Sequence, residues 1–314
     1  MDKIDEESPV LDGEERSAEA APAEELAASS PGADEPAVIQ DPVIDEPVVV
    51  HPEPLPPAPT AAEPVVIKAK EGESWVETVK TVVYALLIAL VIRTFLFQLF
   101  NIPSGSMINT LLVGDYLFVE KYAYGYSHYS FPFGIAPFSG RVFERAPARG
   151  DVIVFKMPNK NSPQYEQDFI KRLIGLPGDR IQVMNGQVYI NNKAVPKAYA
   201  GRYDYMDEAG MTRHTLRYKE TLPSGKSYYV LDQTPDGPFD NTDVYTVPPG
   251  HFFMMGDNRD DSNDSRADVG YVPAENLVGK AELIFYSYDG TTPFWQFWNW
   301  PWEIRYDRLF TWID

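Results

Sequence analysis

The chain has 314 residues, a formal net charge of −19 and no cysteine. Without cysteine, a disulfide framework, thiolate catalysis and any Cys-based metal site are excluded. Residues 1–70 carry 17 acidic and 4 basic side chains, and the other 244 residues carry 29 and 23. The acidity therefore belongs mainly to the N-terminal segment, and nothing marks the chain as a nucleic-acid binder.

Twelve of the 28 prolines lie in residues 1–70, among many Ala and Glu and almost no aromatics. Such a segment cannot bury enough apolar surface to offset its ordering entropy, so it reads as a disordered acidic tail. Thr81 to Ile92 follows without a charge, then Arg93, then Thr94 to Phe100. As a helix, residues 81–100 span about 30 Å at ~1.5 Å per residue, enough to cross a bilayer core. The expected anchor covers residues 76–100, with Arg93 snorkelling to the headgroups. Lys68, Lys70 and Lys80 precede the uncharged run that starts at Thr81, which favours a cytoplasmic N-terminus and an external C-terminal domain.

Residues 101–314 read as mainly β. Asp115–Val119, Asp151–Phe155, Ser227–Leu231, His251–Met255 and Ala281–Phe285 are β-branched and aromatic runs. Ile181–Val183 and Gln187–Ile190 flank Asn185-Gly186, a pair suited to a type I′ hairpin turn. Residues of about 191–247 read as an insertion rich in Tyr, Asp and Gly. Five of the six tryptophans lie between Trp295 and Trp312. That segment suits either a membrane interface or an aromatic cluster packed on the β domain.

Pro103-Ser104-Gly105-Ser106-Met107 places two hydroxyls at the end of the apolar run. A serine needs a base to become a nucleophile. None of the four histidines (His51, His128, His214, His251) lies in a catalytic motif, and no paired spacing suggests a metal, so neither a metal nor another cofactor is expected. Lysine is the other candidate. In Asp168-Phe-Ile-Lys-Arg-Leu-Ile-Gly175, read as a strand, Phe169, Lys171 and Leu173 share one face, and Ile170, Arg172 and Ile174 the other. Burial disfavours the charged amine; moving it from about 10.4 to near 7 costs roughly 4–5 kcal/mol. The alternative is that Lys171 snorkels beside Arg172 on a strand edge. Gly256-Asp-Asn-Arg-Asp-Asp-Ser-Asn-Asp-Ser-Arg266 reads as a tight loop held by Asp–Arg pairs. Its Asp spacing does not match an EF-hand.

The blocks PSGSM (103–107), RGDVIVFK (149–156), DFIKRLIGLPGD (168–179) and GDNRDDSNDSR (256–266), in this order behind an apolar anchor, resemble the bacterial type I signal peptidases (leader peptidases), membrane-anchored Ser-Lys endopeptidases. The resemblance covers about residues 81–285. It implies a signal-peptidase-like β domain in which Ser106 is the nucleophile and Lys171 the general base. It further implies that Ser104 and the Ser106 N–H form the oxyanion hole, that Ser262 orients the lysine amine, and that Asp264, Arg266 and Asp257 support the loop. Ile102, Pro103, Met107, Leu111 and Ile170 match positions implied to line the shallow pockets for small residues at −1 and −3 of a preprotein. The implied partners are preprotein signal peptides and membrane lipid, with proximity to the secretion translocon and no nucleic acid. The implied location is the bacterial inner membrane. Where the family often has proline three residues after the nucleophile, this chain has Asn109. Two other readings stand beside this one. A self-cleaving Ser-Lys repressor would need a DNA-binding domain that residues 1–70 cannot supply. A membrane-anchored β-domain adaptor would bind partners without catalysis.

Overall fold

The structure, a computed structural model, describes residues 75–131, 134, 138–234, 236–289, 296 and 298–313. The acidic-tail reading of residues 1–70 lies outside the described residues. The chain divides into two units, Met1–Ile67 and Lys68–Asp314, and the described residues all belong to the second.

Among the described residues a single α-helix, α1 (Trp75–Phe95), is long and apolar enough to cross a membrane. Its flanks are bare, and only Thr94 is buried. The helix is shorter than expected. Residues Phe97–Asn101 form strand β1 and pair antiparallel with β2 (Asp115–Glu120). The physical reason is that β2 offers an unpaired edge with side chains alternating in and out, and a short apolar run fits either element until such a partner decides.

The other strands are β3 (Val152–Lys156), β4 (Asp168–Gly175), β5 (Arg180–Met184), β6 (Gln187–Ile190), β7 (Lys193–Ala194), β8 (Lys197–Met206), β9 (Thr212–Thr221) and β10 (Ser227–Asp232). Then come β11 (Tyr245–Thr246), β12 (His251–Met255), β13 (Val272–Pro273), β14 (Leu277–Ser287), the one-turn helix α2 (Trp300–Glu303) and β15 (Thr311–Trp312). The main sheet runs β1-β2-β14-β3-β4-β12-β13, with β15 also on β14. A second sheet runs β11-β5-β6-β7, and a third, built from the insertion, runs β10-β9-β8. All the pairings between these strands are antiparallel.

The expected hairpin is present: Ile181–Met184 pairs with Gln187–Ile190, and Asn185 and Gly186 both have positive φ, 48° and 69°, as a type I′ turn requires. One buried cluster contains Ile102, Met107, Leu111, Leu117, Val152 and Ile284. It lies under the segment that carries the two serines and holds the start of that segment in place.

Candidate active site

The turn after β1 is a short 3-10 helix, Gly105–Met107, entered from an extended Ser104 (φ −131°, ψ 156°). Met107 and Leu111 are fully buried, so the turn is pinned by its apolar side. Closure comes from Ile108 N–H donating to Gly105 O at 3.0 Å and Leu111 N–H to Met107 O at 2.8 Å. This presents Ser104 and Ser106 to a cleft of about 280 Å³ also lined by Pro103, Ile170 and Lys171.

Lys171 reaches the same cleft from β4. Its strand lies between β3 and β12, with Ile153 of β3 opposite Lys171, so the residue is not on a strand edge. It is 3% exposed, and the snorkelling alternative fails for that reason. Its Nζ is 2.7 Å from Ser106 Oγ and donates to Ile170 O at 2.9 Å. Burial pulls the amine down to about 8, while the carboxylates of Asp264 and Asp257 act against that fall. A neutral amine at this distance is able to accept a proton from the hydroxyl.

The loop after β12 supplies the frame. Asp264 Oδ2 accepts Gly256 N–H at 2.9 Å, and Arg266 grips both carboxylate oxygens of Asp264, at 3.0 and 2.8 Å. Arg266 also donates to Arg259 O at 2.6 Å. Burial pushes the Asp264 carboxyl up, but Arg266 and the N–H groups of Gly256 and Arg266 outweigh it and hold it below its ordinary value. Asp257 forms a fork with Arg172, Nε to Oδ1 and Nη2 to Oδ2, both 2.8 Å. Thr110 donates to Asp257 as well.

Four of the expected site residues, Ile102, Met107, Leu111 and Ser262, are placed differently. Ile102, Met107 and Leu111 sit in the apolar cluster beneath the turn and do not line the cleft; only Pro103 and Ile170 of the five pocket residues do. The reason is the turn itself, which aims these three side chains inward against Leu117 and Ile284. Ser262 is buried in the loop, but its Oγ makes no hydrogen bond, and the hydrogen-bond partners of Lys171 Nζ are Ser106 and Ile170. Finally, Asn109 has φ +87°, a conformation proline cannot adopt.

Several residues of the frame carry no clear mark in the sequence. Arg172 is completely buried, with Tyr228 4.1 Å beneath its guanidinium. An arginine between Ile170 and Ile174 on one strand face was the available signal. Glu220 on β9 pairs with Arg259 through both carboxylate oxygens, at 2.7 and 2.5 Å, and accepts Tyr228 OH at 2.9 Å. No local pattern around Glu220 marks it.

A hydroxyl against a desolvated amine, at the wall of an open cleft on a curled antiparallel sheet, is the arrangement of a serine–lysine hydrolase. The sequence pattern of the family described as "Signal peptidase, peptidase S26" matches residues 75–286. Signal peptidase I of Rickettsia conorii (strain ATCC VR-613 / Malish 7) is 46% identical over 212 residues, which are 65% of this chain and 77% of the rickettsial one. Signal peptidase I of Rickettsia prowazekii (strain Madrid E) matches to the same extent. Among solved structures, a signal peptidase I from Enterococcus faecalis V583 is 26% identical and covers 43% of this chain and 97% of its own, with a TM-score of 0.25. The chain belongs to the signal peptidase family, peptidase S26, and is a serine endopeptidase of that family.

Proposed function

We propose that this enzyme removes N-terminal signal peptides from exported preproteins, cutting after small residues at −1 and −3, with Ser106 as nucleophile and Lys171 as general base. The observation that carries the reading is the 2.7 Å contact between Lys171 Nζ and Ser106 Oγ, with the amine buried. The neutral amine takes the Ser106 proton as Oγ attacks the scissile carbonyl carbon. The developing oxyanion is met by the Ser104 hydroxyl and the Ser106 main-chain N–H; one such donor is typically worth about 3 kcal/mol of barrier. The ammonium then protonates the leaving amine, an acyl-enzyme remains, and the amine regenerated on Lys171 deprotonates the water that hydrolyses it. The unpaired Ser262 Oγ gives the ammonium an acceptor at the stage when Ser106 Oγ is bonded to substrate. Asp264, Arg266 and Asp257 keep the loop that carries Ser262 in register.

The apolar flanks of α1 support a bilayer anchor. Beside it, Leu96, Phe97 and Leu99 are exposed at and before β1, and Trp302, Phe310 and Trp312 are exposed near the C-terminus. Tryptophans in this position favour lipid contact over packing on the β domain. Lys68 and Lys70 before α1 favour an N-terminus in the cytoplasm and a catalytic domain outside the inner membrane, next to the secretion translocon where preproteins emerge. External protease on intact spheroplasts therefore digests the β domain; its protection overturns the topology.

The deciding test is cleavage of a preprotein by detergent-solubilised Ser106→Ala and Lys171→Ala variants, with circular dichroism as the check on folding. Both are expected to be inactive and folded. Substantial residual cleavage by Lys171→Ala overturns the lysine-base assignment, and full activity of both variants supports the adaptor reading instead.

A further inference from the structure

Among the side chains by which the insertion sheet packs on the Ser106 turn is one that the catalytic assignment does not use. Tyr205, on β8, is 9% exposed and packs in a small apolar cluster with Ile108 and Leu231. Ile108 is two residues past Ser106. The Tyr205 hydroxyl accepts from Asn258 Nδ2 at 2.8 Å and from Gln233 Nε2 at 3.1 Å, and donates to Asp261 Oδ2 at 3.2 Å. Three partners in three directions fix both the phenol and the amide of Asn258.

Asn258 is fully buried and holds the nucleophile turn twice. Its Nδ2 donates to Gly105 O at 3.2 Å, and its main-chain N–H donates to Ser106 O at 3.1 Å. An amide NH₂ has two hydrogens. Here one goes to Gly105 O and the other to Tyr205. Removing the phenol oxygen leaves a buried N–H without a partner, and such a group turns or shifts to find one. The Gly105 carbonyl, which belongs to the Gly105–Ser106 peptide and accepts from that amide, would move with it. That peptide carries the Ser106 N–H, and its rotation redirects Ser106 Oγ relative to Lys171.

We propose that Tyr205 is a positioning residue for Ser106, acting through Asn258 to fix the Gly105–Ser106 peptide against the lysine amine. The insertion thereby takes part in catalysis through a residue on its own sheet. The proposal rests on the reading of Ser106 as nucleophile. The geometry accounts for a hydroxyl at this position in particular: phenylalanine fills the same space in the Ile108–Leu231 cluster but offers Asn258 no acceptor.

The test compares full-length Tyr205→Phe, Asn258→Ala and the double variant in detergent, on a peptide substrate spanning a signal-peptide cleavage site. Tyr205→Phe is expected to lower kcat on the order of tenfold to a hundredfold, the scale of a small misplacement of a reacting group. KM and far-UV circular dichroism should stay near those of the parent, which a general loss of structure would not allow. Asn258→Ala should show the same kcat defect, and adding Tyr205→Phe to it should cost nothing more. Wild-type turnover in either folded single variant overturns the proposal, as does an additive loss in the double variant. Ser106→Ala is run alongside: if it remains active, the nucleophile assignment has failed. If it is inactive while Tyr205→Phe is unimpaired, only the positioning role has failed.

Discussion

Arg172 and Asp257 face each other through two hydrogen bonds of 2.8 Å, with both side chains almost entirely out of solvent. The pair ties the strand that bears Lys171 to the loop that bears Ser262, 85 positions apart in the chain. Burial alone would discourage the Arg172 charge, but the Asp257 carboxylate beside it outweighs that and holds the guanidinium above its ordinary value. Asp257→Ala leaves a buried cation without its carboxylate and is expected to destabilise the domain by about 3–5 kcal/mol. Denaturant unfolding in detergent checks this. Arg172→Met combined with Asp257→Leu should lose less than Asp257→Ala alone, because neither residue then strands a charge.

The Lys171 amine, drawn down to about 8 by burial, sets a pH profile. Only its neutral form is a base, so kcat/KM should rise as pH climbs through about 8 and level off above it. Stability follows the same group. Its folded pKa lies below the unfolded value of 10.5, so between those values the unfolded chain binds more protons and stability increases with pH. Below about 8 the whole penalty is present, on the order of 3 kcal/mol. Lys171→Met should therefore be more stable than the parent at pH 7, with the gap narrowing toward pH 10. A flat rate profile across pH 7 to 9 would contradict the base role.

Gly256 is where the loop presses on the nucleophile turn. A Cβ built there would overlap Ser262 Oγ and lie 2.6 Å from Ser106 O. The second contact is with backbone, which cannot step aside cheaply. Gly256→Ala is expected to abolish cleavage and lower stability, whereas Gly178→Ala, whose added carbon meets nothing within 4 Å but whose φ of +88° strains an alanine, should cost some stability and leave cleavage intact. Peptide cleavage and thermal unfolding of the two variants separate the cases.

Asn109 offers a comparison at the residue where this chain departs from the pattern it resembles. Its φ of +87° lies outside the range open to proline. Asn109→Pro should destabilise by more than about 1 kcal/mol, while Asn109→Gly, free to adopt positive φ, should cost little. Equal stability of the two variants would show that the turn rearranges to accept proline.

Much of the scaffold is written locally in the chain. Asn185-Gly186 specified its hairpin because only a few residue types tolerate positive φ at both turn positions. The alternation through Phe169, Lys171 and Leu173 was likewise readable, since strand period determines which side chains share a face. The end of the helix was not. Phe97–Asn101 is apolar enough to continue α1, and the outcome rests on pairing with β2, an interaction between segments that local pattern does not encode. The same holds for Met107 and Leu111, whose depth depends on Leu117 and Ile284 arriving from elsewhere. Glu220 lies 39 positions before Arg259, and its role exists only once the insertion folds back onto the loop.

The short path from anchor to nucleophile has a consequence for which bonds are reached. Ser106 follows the last residue of α1 by 11 positions, and five of the intervening residues are locked in β1. At ~3.3 Å per residue that strand covers roughly 17 Å. A linker of this kind is a measuring stick rather than a leash. With α1 in a bilayer and Ser106 as the nucleophile, the reacting hydroxyl would stand at one set height above it. A preprotein is then sorted by how far its own scissile bond lies beyond its apolar stretch, before any pocket has read a side chain.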